Sequence, residues 1–215
     1  MSKNRVEAFS DGVFAIAITL LVLTVAEPHN YRNLAHELGT QWPSLAAYAV
    51  SFAIIGIMWI NHHSVFGHLE HVDRTMLYLN LLLLMTIAFL PYPTEVLGRA
   101  LAAKGGDTET AAVVYGVVMT LNACAWSALW LYASRHRRLL HDDFPESERV
   151  MATLLFTAGV VVYMLSIGVA FLNAGAFLAL QGALAVYYAF DPISRRVARM
   201  GRHNREPTRR RGSSV

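Results

Sequence analysis

The sequence predicts an all-α membrane protein with six transmembrane helices per subunit and both termini in the cytoplasm. Three observations carry this. Of the 215 residues, 55% are hydrophobic and only 15% are charged, against about a quarter charged in a soluble domain. The apolar residues fall in long runs near the roughly 20 residues that cross a bilayer. Lysine and arginine fall 15 to 3 on alternate sides of such an arrangement. A soluble enzyme of this size would lack a polar skin, and a disordered chain is excluded. The single cysteine, Cys124, rules out an intrachain disulfide framework and a multi-cysteine metal site.

The first span covers about residues 6–26, with a dense core VFAIAITLLVLTV at 13–25, and Glu27-Pro28 ends it. Lys3 and Arg5 before it resemble the start of a cleavable signal. Glu7 and Asp11 stand where such a signal is basic or neutral, so the segment is read as a retained span. The next spans cover 42–65, 76–97, 111–133, 150–172 and 174–190. Asp191-Pro192 stops the last, because proline cannot donate to the helix and disfavours helical geometry just before it. That sixth span is short and tolerates little tilt. The chain thus divides into a six-span domain, 1–191, and an arginine-rich tail, 192–215.

Six spans place both termini on one side, with Lys3, Arg5, Arg74, Arg135, Arg137, Arg138, Arg149 and eight tail arginines. Arg32, Arg99 and Lys104 fall on the other. Without the tail the split is still 7 to 3, and the positive-inside rule puts the richer side in the cytoplasm. The longest internal connection, 134–149 (SRHRRLLHDDFPESER), is charged and expected to be partly helical at the interface. One half of the chain does not repeat the other, which argues against an inverted-repeat transporter. The tail suits anionic lipid headgroups. It lacks the stacking aromatics of a nucleic-acid binder.

Polar groups inside spans are costly and therefore informative. Arg5, Glu7, Ser10 and Asp11 open the first span, Asn61, His62 and His63 close the second, and Asn80 lies in the third, after Asp73-Arg74. All share one depth, toward the cytoplasmic ends. Arg5 and Asp11 can neutralise each other, while Asn61, His62 and Asn80 have complementary donors and acceptors. These groups read as a helix-to-helix clamp, with support of a pore-lining helix as the sharper alternative. Zinc is not expected, because adjacent His62 and His63 point about 100° apart on a helix and His68 and His71 fall in the loop. On the first span, Phe9, Gly12, Ile16, Leu20, Leu23 and Glu27 form one stripe at 100° per residue, with Thr19 at its edge. Taken alone, this stripe is read as a packed or lipid-facing surface, because the opposite face is apolar as well.

The string RVEAFSDG at 5–12, followed by VFAIAITLLVL, resembles the signature of the transmembrane protein 175 family: an arginine, three variable residues, then Phe-Ser-Asp. These are the lysosomal potassium channels and their prokaryotic relatives. WINHH at 59–63 with Phe66, Asp73-Arg74, and NLLLLMTIAFLPYPTEVLG at 80–98 match as well. The resemblance covers roughly the first 100 residues, and the last three spans match only in hydrophobicity and position.

It implies a potassium-permeable cation channel, a homotetramer because the chain holds one repeat, with the first helices lining a central pore. Ile16, Leu20 and Leu23 then occupy the constriction and Thr19 a polar layer. Arg5, Phe9, Ser10 and Asp11, with Trp59, Asn61, His62 and Asn80, resemble the network that supports the pore helix. Apolar rings can gate a pore by dewetting. The sequence has no TVGYG filter string, so modest selectivity is expected, with Thr19 as a contact and Glu27 concentrating cations at the outer mouth. No cofactor, resident metal or nucleic acid is implied.

Three rival functions compete with a channel. A proton-coupled transporter or proton leak would titrate Asp11 and His62. An intramembrane enzyme lacks a nucleophile and base at one depth. A non-conducting scaffold is the third. No span carries an arginine ladder, so strong voltage sensing is not expected. Arginine outnumbers lysine 16 to 2, the usage of a GC-rich bacterial genome, which makes the plasma membrane the expected location.

Overall fold

In the computed structural model the described residues are 2–25, 27, 28, 31–103, 107–141 and 144–189. Ala26, Lys104, Phe190, the Asp191-Pro192 stop and the tail arginines with their lipid contact lie outside them. Eight α-helices are present among the described residues: α1 (Lys3–Leu20), α2 (Leu34–Thr40), α3 (Trp42–Gly67), α4 (Arg74–Phe89), α5 (Pro91–Ala102), α6 (Thr108–Arg135), α7 (Glu146–Ala170) and α8 (Ala174–Ala189). Among these residues there is no strand, only a single antiparallel bridge between Leu69 and Leu140.

Among the described residues five helical stretches are long and apolar enough to cross a membrane: 3–24, 42–67, 74–102, 108–135 and 146–170. The third combines α4 and α5. Pro91 and Pro93 cannot donate to the preceding turn, so the rod is interrupted after Phe89 and resumes at Pro91. Helix α8, with 16 residues, is about 24 Å long, shorter than the roughly 30 Å hydrocarbon core. The short, exposed α2 and the break at Pro91 were not foreseen from the sequence. The 134–149 connection resolves into the end of α6, a 3₁₀ turn at Arg137–Leu139 and the start of α7.

Helix α6 is the centre of the bundle. In its most apolar window 61% of residues are buried, against 11% for α7, so α7 packs on α6 with one narrow face and leaves the rest of its apolar surface outward. Close approach is enforced where glycine faces a neighbour. A Cβ on Gly98 of α5 would lie 3.0 Å from Ser44 Cα of α3, whereas one on Gly168 of α7 would meet nothing within 4 Å. Gly98→Ala should therefore lower stability by about 1–2 kcal/mol, since backbone cannot yield as a side chain can. Gly168→Ala should be neutral or stabilising by up to about 1 kcal/mol through helix propensity. Thermal unfolding of the two variants in detergent checks this contrast.

The end of the bundle at which α1 begins is tied together by polar contacts. Lys3 Nζ donates to Leu69 O at 2.7 Å, and Glu70 N and His141 N donate to Leu139 O and His68 O across the bridge at 2.8 and 3.1 Å. Asp73 is the hub. It caps α4 by accepting from Met76 N at 2.9 Å, and takes Tyr132 Oη at 2.7 Å and Arg138 Nη2 at 3.3 Å.

Partial burial pushes the Asp73 carboxyl up, but the Met76, Tyr132 and Arg138 contacts outweigh it and hold the group below its ordinary value. A depressed carboxylate stabilises the fold above its unfolded value, about 3.9, and that contribution fades as pH falls through the folded value. The stability gap between the native protein and Asp73→Asn should therefore be constant above about pH 5 and close below about pH 4. Melting curves across that range test it.

Candidate functional site

Helix α1 has two faces of different character. Val6, Ser10, Phe14 and Ala17 are buried, followed by Leu21 and Thr24 of a 3₁₀ turn over Leu21–Thr24. Against them pack α3, α4 and α5. The other face is open and apolar: Phe9, Ile16, Leu20 and Leu23 are 53, 61, 42 and 72% exposed, and Gly12 and Thr19 are exposed between them.

The stripe read from the sequence thus lies on the outward side within one subunit, with one change of geometry. After Leu20 the helix tightens to three residues per turn, so Leu23 lies directly above Leu20 rather than displaced from it. Thr19 Oγ1 donates to Ala15 O and Ile16 O at 3.0 and 2.9 Å. Its hydrogen is committed to the backbone, leaving oxygen lone pairs outward, which suits contact with a cation. Glu27 is exposed, beyond the end of the helix.

Behind the buried face runs a hydrogen-bonded chain across three helices. Ser10 Oγ donates to Val6 O at 2.9 Å and accepts from Asn80 Nδ2 at 3.0 Å. Asn80 Oδ1 lies 2.9 Å from His62 Nε2. The amide oxygen can only accept, so the network assigns the hydrogen to Nε2. All three residues are buried. The His62 ring is stacked on Phe66 at 4.2 Å and meets Phe14 edge-on at 5.4 Å. Beside this chain, Trp59 Nε1 donates to Asp11 Oδ1 at 2.9 Å, at a more exposed position. Together these contacts fix the rotation and height of α1 against α3 and α4.

Other residues expected here lie elsewhere. Arg5 is exposed, and among the described residues no ion pair joins it to Asp11, whose carboxylate faces Trp59 instead. The neutralisation expected from the sequence is therefore absent within one subunit. Asn61 is half-buried and lines a separate cavity. One residue before His62, it is rotated about 100° around α3, away from α1 and α4. His63 is exposed and diverges from His62 for the same reason.

Two polar features escaped the sequence reading. Ser51 Oγ sits 2.8 Å from both Thr94 Oγ1 and Tyr115 Oη, a buried cluster joining α3, α5 and α6. Its signal was present as isolated hydroxyls in apolar runs. Such hydroxyls often satisfy themselves on their own helix, as Thr94 does on Leu90 O at 2.8 Å, so none stands out. The second is the Asp73 hub, whose partners come from a different helix and the following turn.

A family model described as the endosomal/lysosomal potassium channel TMEM175 matches residues 5–91. A potassium channel of Streptomyces collinus is 47% identical over 194 residues, covering 89% of this chain and 93% of its own length. The human endosomal/lysosomal proton channel TMEM175 is 35% identical over 147 residues, covering 64% of this chain and 29% of its own. The fold is similar to the crystal structure of a lysosomal potassium-selective channel TMEM175 homolog from Chamaesiphon minutus. That similarity has a TM-score of 0.78 and 34% identity, covering 87% of this chain and 96% of the other.

Proposed function

Because this chain belongs to the TMEM175 family, as a single-repeat prokaryotic member, we propose that four copies form a passive, potassium-permeable channel around an axis lined by α1. The observation that carries this reading is the outward face of α1. Its apolar residues stay exposed within the subunit, while the face behind them is pinned by Ser10, Asn80 and His62. Rings of Ile16, Leu20 and Leu23 form the constriction, and rings this apolar gate by dewetting rather than by binding ions. Thr19 offers oxygen to a passing cation between them. Glu27 raises the local cation concentration at the outer mouth. The Ser10–Asn80–His62 chain and the Trp59–Asp11 contact hold the lining helix in register.

In this arrangement all six apolar segments span a bacterial plasma membrane, with α8 the shortest and both termini cytoplasmic. The arginine-rich tail lies on anionic headgroups. Proteoliposomes containing only this protein should dissipate an imposed potassium gradient without a pH gradient or an energy source. Flux that saturates, or that requires a proton gradient, would contradict the reading.

Proton conduction is the second reading, favoured by the name of the human relative. Asp11 and His62 are poorly placed to relay protons as a pair. Asp11 is bonded to Trp59 and His62 to Asn80, and no hydrogen bond joins the two among the described residues. Proton entry measured with the potassium gradient clamped to zero separates the readings.

A further inference from the structure

On the side of the bundle away from α1, a cavity of about 460 Å³ opens between α3, α6, α7 and α8, within the 300–1,000 Å³ of small-molecule sites. It follows α3 from Ile54 to Gly67 and α7 from Glu148 to Tyr163, about 20 Å along each helix. One leaflet's hydrocarbon is about 15 Å thick. The walls grade along this length. The deep part is mostly apolar, with Ile54, Met58, Leu155 and Phe156 beside Asn61 and Asn122, and the end nearest the chain's N-terminal side carries His63, Ser64 and Glu148.

Among the described residues Glu148 is the only carboxylate on the cavity wall, and its side chain has no hydrogen bond or ion pair with any of them. This is unexpected next to so many arginines. In the same turn of α7, Glu146 is paired with both Arg137 and Arg149, and Arg138 is taken by Asp73. Phe144, half-buried, lies on the same part of the wall and is backed by the buried Trp130, their rings 6.1 Å apart and T-shaped. A carboxylate beside aromatic faces is the chemistry that recognises an ammonium group.

We propose that this cavity binds an ethanolamine phospholipid from the leaflet on the N-terminal side. One acyl chain lies between α3 and α7, and the ammonium rests on Glu148 beside Phe144. His63 and Ser64 are the hydrogen-bond partners for the phosphate. The site lies away from α1 and does not depend on how ions cross.

Native mass spectrometry of the full chain in detergent tests this, using phosphatidylethanolamine and phosphatidylglycerol of identical acyl chains. Glu148→Gln should reduce phosphatidylethanolamine adducts about fivefold and leave phosphatidylglycerol adducts, which the arginine-rich tail attracts, unchanged. Gly159→Leu, which places a side chain in the cavity toward Tyr188, should give the same selective loss. Phosphatidylethanolamine adducts that survive both substitutions would overturn the proposal. So would a parallel loss of both lipids in Glu148→Gln, because the carboxylate would then not select the headgroup.

Discussion

Replacing Asn80 with leucine will lower the melting temperature of the solubilised protein by about 3–10 °C and abolish potassium flux. Asn80 is the centre of the buried chain, donating to Ser10 and accepting from His62. Leucine is near it in size but leaves the His62 N–H buried without an acceptor. Ser10 keeps its bond to Val6 O and loses less. A buried unsatisfied group costs about 1–3 kcal/mol, while interhelical hydrogen bonds inside membranes average about 0.6 and reach about 1.7 kcal/mol. A total of about 1–3 kcal/mol shifts a chain of this size by the stated range. Asn61→Leu is the control, since Asn61 lies outside the chain and should shift the melt far less. Equal losses from the two would show that neither contact matters in particular.

The second large effect is expected at Ile16. On the proposed axis, Ile16→Ala removes the bulk from four facing side chains at once, and Ile16→Asn also makes the ring wettable. Each 1.4 kcal/mol taken from a barrier is about tenfold in rate. Flux should rise at least about threefold for alanine and more for asparagine, with poorer discrimination between potassium and sodium. Liposome flux under potassium and sodium gradients measures both quantities. Phe14→Ala, on the buried face of α1, should instead reduce stability without raising flux.

The all-helical membrane fold was legible because an apolar run of about 20 residues has few other uses. Ser10, His62 and Asn80 stood out because polar groups in lipid demand partners. Which of Asn61, His62 and His63 would join Asn80 was not legible. That depends on the rotation of α3, set by its packing against α5, α8 and α1. The Arg5–Asp11 pairing failed for a related reason. Charge complementarity identifies possible partners, but six residues at 100° each set Arg5 and Asp11 about 120° apart around α1, and the carboxylate takes the Trp59 N–H delivered by α3. Leu23 stands directly above Leu20 because a 100° increment does not hold once the helix tightens after Leu20. The cavity beside Glu148 was invisible, since it is what remains between helices once their contacts are made.

Block by cadmium of potassium current through Ile16→Cys, with Cys124 replaced by serine to remove the exposed native thiol, tests the central claim most directly. Four cysteines facing one axis at that level form a thiolate site for the ion. The account predicts rapid, chelator-reversible block there and none for Phe14→Cys in the same background. Current through Ile16→Cys that is indifferent to cadmium would contradict it.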